Sequence, residues 1–211
     1  MWLSEPRTSI SGCRSINVLI RSLAVLLLAA SLSGCEEPKL PSPFHASDVS
    51  MPLAGANFSL TDQYGKPRTL ADFRGKVVAL FFGYTHCPDV CPTTLADLAQ
   101  VLGMLGKDAD RVQVLFITVD PERDTPEMLV KFMSAFHPSF LGLYGDATAT
   151  TQAAKSFYVT FQKQQTTSGY SVDHSVGTFL IDPEGKVRLR APLGQRPSWI
   201  AEDIRLLLAG V

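Results

Sequence analysis

"KVVALFFGYTHCPDVCPTTLADLAQVLGMLG", residues 76–106, decides how this chain is read. Lys76 to Tyr84 form a continuous apolar run with β-branched and aromatic residues, the pattern of a strand buried on both faces. After it, Leu95, Leu98, Val101, Leu102 and Leu105 recur at helical spacing, with Gly106 as a stop. Cys87 and Cys91 fall between strand and helix, three residues apart. The carboxyl end of a strand is where open α/β sheets bind ligands. Pro88 suits a first helical position, which would put Cys91 one turn further on, on the face it shares with Cys87. An irregular first turn would still let the two sulfurs converge. A helix N-terminus favours thiolates. Disulfide exchange and metal binding both need the thiolate, so position alone leaves both chemistries open.

The pattern continues on either side. "NFSLTDQYGKPRTLADFRGK" reads as two short β segments around a QYGKP turn. "VQVLFITVD", Val112 to Asp120, is a second buried strand. "TPEMLVKFMSAFH" is a helix capped by Thr125, with Pro126 at its first position and Glu127 in its first turn. "ATATTQAAKSFYV" is a third helix, "GTFLID" and "KVRLRAPL" make a hairpin around "PEG", and "PSWIAEDIRLLLAG" is a terminal amphipathic helix. The segment 161–172, "FQKQQTTSGYSV", reads as a mobile polar loop. Strands alternating with helices predict a three-layer α/β domain around a central mixed sheet over residues 55–211.

The first 35 residues read as an address. Arg7, Arg14 and Arg21 precede an apolar run, Leu23 to Ala30, that is short for a membrane span. "LSGC", Leu32 to Cys35, resembles a bacterial lipobox, which implies cleavage before Cys35 and its lipidation. An uncleaved signal anchor is the other reading. Both put the rest of the chain on the far side of the membrane from the cytoplasm. Cys13 receives no role. Residues 36–54, rich in Pro and Ser and without periodicity, read as a linker in which His45 is solvated. With 19 basic and 20 acidic residues and no basic stripe, the chain is not expected to bind nucleic acid.

A distant piece bears on the cysteines. "YSVDHSVGTFLID", residues 170–182, places His174 just before a strand. Two thiolates and an imidazole form a soft ligand set that suits Cu(I) and Zn and can also hold Cu(II). An open three-ligand site suits a cargo that must be released.

Three motifs, "FGYTHCPDVCPTTL", "FITVDPERDTPEML" and "YSVDHSVGTFLIDPEGKV", occur in this order and together resemble the Sco/SenC family over residues 50–211. The resemblance implies a membrane-anchored thioredoxin-like copper protein that assists assembly of cytochrome c oxidase. It implies copper ligation by Cys87, Cys91 and His174. It also implies oxidase subunit II as the acceptor of copper, or as the substrate of a cysteine reduction, and a periplasmic copper donor. Asp120 lies in the family's "VDPERDTP" motif, either tuning the site or serving as a cap or loop residue. Asp173 is a candidate to orient the His174 imidazole.

Other chemistries remain in view. A thiol–disulfide oxidoreductase would use Cys87 and Cys91 as its redox pair. Against it stand the CxxxC spacing, Gly177 near where thioredoxin-type enzymes place a proline, and His174, which such an enzyme does not need. A peroxidase of the same fold, with Cys87 as its peroxidatic thiolate, needs a single accessible low-pKa cysteine, and the Cys87–Cys91 pair fits the other readings better. A purely structural Cys87–Cys91 disulfide would close a very short loop and stabilise little. His86 is expected to face away from the sulfurs, and His137 to cap a helix end.

Overall fold

The computed structural model describes residues 42–167 and 169–211. The expected signal segment, Cys13 and the lipobox Cys35 lie outside the described residues. Among the described residues, ten strands form two sheets. The main sheet joins β1 (Ser47–Asp48), β2 (Ser59–Asp62), β3 (Pro67–Thr69), β4 (Val77–Gly83), β5 (Val112–Thr118), β6 (Leu141–Tyr144), β9 (Thr178–Ile181) and β10 (Val187–Ala191). Their spatial order is β1-β10-β9-β4-β5-β6-β2-β3. β4 runs parallel to β5 and antiparallel to β9, so the sheet is mixed, as expected. A separate ribbon pairs β7 (Phe161–Thr166) with β8 (Gly169–His174).

The apolar run of β4 explains the layering. Alternate residues of a strand point to opposite faces. Val77, Ala79 and Phe81 pack with α1 (Val90–Leu105), α2 (Pro126–Ser134) and α4 (Pro197–Leu208). Val78, Leu80 and Phe82 pack on the other face with α3 (Ala147–Ser156) and the 3-10 turn Leu70–Phe73. Every residue of β4 is buried, so the strand forms the central layer of a three-layer domain. Helix ends follow the sequence cues. Thr125 Oγ1 accepts from the Met128 N–H at the start of α2, and α1 ends at Gly106 with φ +58°.

Three expectations are corrected. First, residues 161–172 are not a loop. They form most of the β7–β8 ribbon. Thr166 pairs with Gly169, and the alternating inward positions Tyr170, Val172 and His174 supply its packed face. The polar outer face hid this alternation in the sequence. Second, the linker does not extend to residue 54. Ala46 and Leu53 are buried, and β1 pairs with β10. The buried Asp203 carboxylate on α4 accepts the His45 and Ala46 backbone N–H groups. His45 itself stacks on Trp199 and bonds Glu202 at 2.6 Å. Residues 42–54 are therefore packed into the described domain, where the Asp203 carboxylate, the β1–β10 pairing and the buried Ala46 and Leu53 hold a segment that lacks periodicity of its own. Third, α1 starts at Val90, with Asp89 as its N-cap residue, rather than at Pro88. β6 was not anticipated, because it is only four residues long, with Gly142 between its two leucines, and carries little β signal.

Candidate metal centre

Cys91 is the second residue of α1 and fully buried beneath the end of β4. Gly83 makes that position available. A Cβ added there would lie 2.7 Å from Cys91 Sγ and 2.8 Å from the Phe116 ring. The Tyr84 backbone N–H donates to the Cys91 thiol. Cys87 is half-buried in the loop before α1, where its N–H bonds the Tyr84 carbonyl at 3.2 Å. Both thiols are free, and Cys87 lies close enough to Cys91 to help raise its thiol pKa.

The cysteine loop hangs on a carboxylate that sequence reasoning missed. Asp124 is buried and accepts the Thr85 N–H at 3.0 Å, the Thr85 hydroxyl at 2.7 Å and the Thr118 hydroxyl at 2.6 Å. It joins the end of β5 to the residues just before Cys87. The signal for it was the second aspartate of "DPERD", which reads as ordinary turn chemistry.

His174, the last residue of β8, reaches the cysteines from across the fold. Its Nε2 lies 3.8 Å from Cys91 Sγ. Its Nδ1 lies 3.0 Å from the Ser175 carbonyl oxygen. A carbonyl only accepts, so Nδ1 carries the proton and Nε2 presents its lone pair to the sulfur. The ring stands edge-on to Tyr84 and Phe81, with centroids 6.0 and 6.2 Å apart. Burial lowers the His174 pKa and so favours neutral imidazole, the metal-ligating form.

The spacing suits a shared metal. Bonds of about 2.3 Å to sulfur and about 2.0 Å to nitrogen, opened to a trigonal angle, span about 3.7 Å between the two donors. Cys91 approaches His174 directly, and Cys87 is near enough to act on the Cys91 thiol electrostatically. Among the described residues, no three of His, Cys, Asp and Glu stand close enough together to hold a metal ion as placed. A three-donor site on Cys87, Cys91 and His174 would require one of them to move closer.

Thiol acidity departs from the sequence expectation. The helix N-terminus was expected to favour thiolate, but burial pushes the Cys91 thiol far up, and the neighbouring Cys87 adds to the rise. Burial thus favours the neutral Cys91 thiol over the thiolate.

The remaining candidates separate clearly. Asp120 is buried, pairs with Arg123 and accepts the Tyr170 hydroxyl at 2.8 Å. Asp173 is exposed on the outer face of β8, and the orienting bond to the imidazole comes from Ser175 instead. His86 is exposed, bonded to Thr85 and 3.6 Å from Asp124. His137 follows α2 and bonds Ser139. Gly177 has φ +130°, and a Cβ there would meet the Ala191 carbonyl at 3.0 Å, so that position requires glycine.

Comparison with known proteins places this arrangement in context. Residues 47–209 match the SCO1/SenC family model. A mouse protein named SCO2 homolog, mitochondrial, is 42% identical over 157 residues, covering 72% of this chain and 62% of that protein. The chain spans between 50% and 62% of the first four mitochondrial relatives it matches. A structure of Bradyrhizobium japonicum ScoI with copper bound superposes with a TM-score of 0.67 at 42% identity, covering 72% of this chain and 98% of that one. A SCO1/SenC family lipoprotein from Bacillus anthracis superposes with a TM-score of 0.62 at 30% identity, covering 72% of this chain and 92% of that one. Among the described residues, no helix is long and apolar enough to cross a membrane.

Proposed function

This chain belongs to the SCO1/SenC family, and on that premise we propose that it carries copper during assembly of cytochrome c oxidase, holding the ion between Cys87, Cys91 and His174. The observation that supports this reading most is the 3.8 Å approach of His174 Nε2 to Cys91 Sγ, with the imidazole proton held on the opposite nitrogen. The donor set of two sulfurs and one nitrogen is soft and suits Cu(I). Copper is the cargo. The protein supplies a desolvated thiol that yields its proton on binding, a neutral imidazole and a half-exposed Cys87. That exposure offers an acceptor a point of entry, and three ligands leave a position free for an incoming one.

By the same family resemblance, the acceptor is the dinuclear copper site of oxidase subunit II, supplied by a periplasmic copper donor. Cys35 is the lipid attachment point, and the domain faces the extracytoplasmic side of a bacterial cell membrane. A second reading, reduction of the partner's cysteines, draws on two free thiols near one another, Cys87 and Cys91. Reduction would form the Cys87–Cys91 disulfide and pass two electrons to a partner disulfide.

An anaerobic titration of the protein with Cu(I) against a chromophoric chelator separates the two. Tight one-to-one binding by the reduced form, lost on oxidation of the pair, supports copper carriage. Weak binding by a readily cycled pair supports the reductase.

A further inference from the structure

His174 sits on a two-stranded ribbon that makes no hydrogen-bonded pairing with the main sheet. Such ribbons are marginally stable alone, so something outside the ribbon must hold this ligand in place. On β8, Tyr170, Val172 and His174 share one face. Val172 enters the core and His174 meets Cys91. Tyr170 reaches a buried polar cluster that the copper site does not include.

That cluster is closely built. The Tyr170 hydroxyl donates to Asp120 Oδ1 at 2.8 Å, across 50 residues of sequence. Arg123 Nε donates to Asp120 Oδ2, and Arg123 Nη1 donates to the Tyr170 backbone carbonyl at 2.9 Å. The guanidinium lies over the Tyr170 ring at 3.7 Å and also faces the Tyr84 ring at 5.7 Å. Asp120 is fully buried, and its backbone N–H bonds Thr118 Oγ1 at 3.0 Å. Lys163 on β7 adds an outer tie, bonding Glu122 at 2.6 Å and lying 4.7 Å from the Tyr170 ring. The β5–α2 loop thus grips the ribbon through both the side chain and the backbone of Tyr170. At about 3.3 Å per residue, that grip lies about 13 Å along the strand from the ligand.

We propose that Asp120, Arg123 and Tyr170 are positioning residues for copper, a latch that fixes the β7–β8 ribbon so that His174 Nε2 faces the cysteine sulfurs. The proposal rests on the copper reading of the site. The latch touches neither sulfur nor imidazole and acts only by setting the ribbon's register against the domain. A planar guanidinium serves here because it can bond the carboxylate and the carbonyl while stacking on the ring. Lysine keeps the charge but loses the two-pronged bridge. Phenylalanine at 170 keeps the ring and loses only the hydroxyl bond.

The test combines Arg123→Lys and Tyr170→Phe with His174→Ala. Copper(II) affinity is measured by chelator competition, and ribbon mobility by amide hydrogen exchange in the copper-free protein. Arg123→Lys should lower affinity about tenfold, the lower end of the effect expected of groups that support a ligand from outside. The same change should have no effect in the His174→Ala background, because the latch acts through that ligand. Exchange at residues 172–174 should accelerate while β4 and β5 stay protected. Tyr170→Phe should show the same pattern more weakly, and it replaces Arg123→Lys if that variant does not fold. Unchanged affinity and exchange, or an equal loss of affinity with and without His174, would overturn the latch. A wild-type protein that takes up no copper would instead overturn the copper reading, and ribbon exchange alone would then decide the latch.

Discussion

His174 and Cys91 stand 83 residues apart in sequence, yet the imidazole Nε2 lies 3.8 Å from the buried sulfur. Two unrelated supports meet there. One is the tight passage at Gly83 that admits the sulfur. The other is the ribbon that delivers the ring.

The three donors should contribute unequally. Cys87→Ser or Cys91→Ser should abolish tight copper binding, since a hydroxyl is a poor soft ligand. His174→Ala should weaken Cu(II) most, because two thiolates retain Cu(I). Competition titrations in both oxidation states measure the difference, and equal Cu(II) affinity in wild type and His174→Ala would refute the ligand assignment.

Copper(I) affinity should rise with pH. Burial holds the Cys91 proton on the apo protein well above the ordinary thiol range, so copper must displace it. Each proton released makes the apparent affinity climb about tenfold per pH unit. His174 adds nothing to this slope near neutrality, because its lowered pKa leaves it already neutral there. Below the ordinary histidine range the imidazole begins to compete for protons and the slope steepens. Titrations across neutral pH check the sign, and pH-independent binding would contradict the protonated thiol.

Gly83→Ala should damage the site from behind. The new methyl would sit 2.7 Å from Cys91 Sγ with rigid aromatic rings on its other sides. Overpacking of this kind costs about 1–3 kcal/mol. Thermal melting should show that loss, together with weakened copper binding.

Asp124→Ala should loosen the cysteine loop. Three donors lose one buried acceptor, and hydrogen bonds to charged groups contribute about 1.5–3 kcal/mol each. The melting temperature should fall, and Cys87 should react faster with a thiol reagent. An unchanged Cys87 rate would mean that the loop holds its shape without Asp124.

Much of this was legible in the sequence, for physical reasons that differ by residue. The run Val77–Gly83 announced the central strand because burial on both faces removes every polar residue. Thr125 and Pro126 announced α2 because caps are local chemistry. Cys87, Cys91 and His174 could be grouped as a soft ligand set from their chemistry, but only family resemblance tied them to one site, since no spacing rule connects positions 91 and 174. What was missed depends on long-range contact. The alternation of β8 is visible only once Tyr170 is known to point at Asp120. The N-terminal segment 42–48 looks like linker until Asp203, over 150 residues away, accepts its backbone. The Cys91 thiol was expected to be acidic from its helix position, but the burial that raises its pKa comes from packing around Phe81 and Phe116.

The most direct test of the account is X-ray absorption spectroscopy of the Cu(I)-loaded protein beside its His174→Ala variant. The account predicts two sulfur donors at about 2.2–2.3 Å and one nitrogen at about 2.0 Å, with the nitrogen lost in the variant. Two sulfurs alone, in spectra that do not change on removing His174, would contradict it.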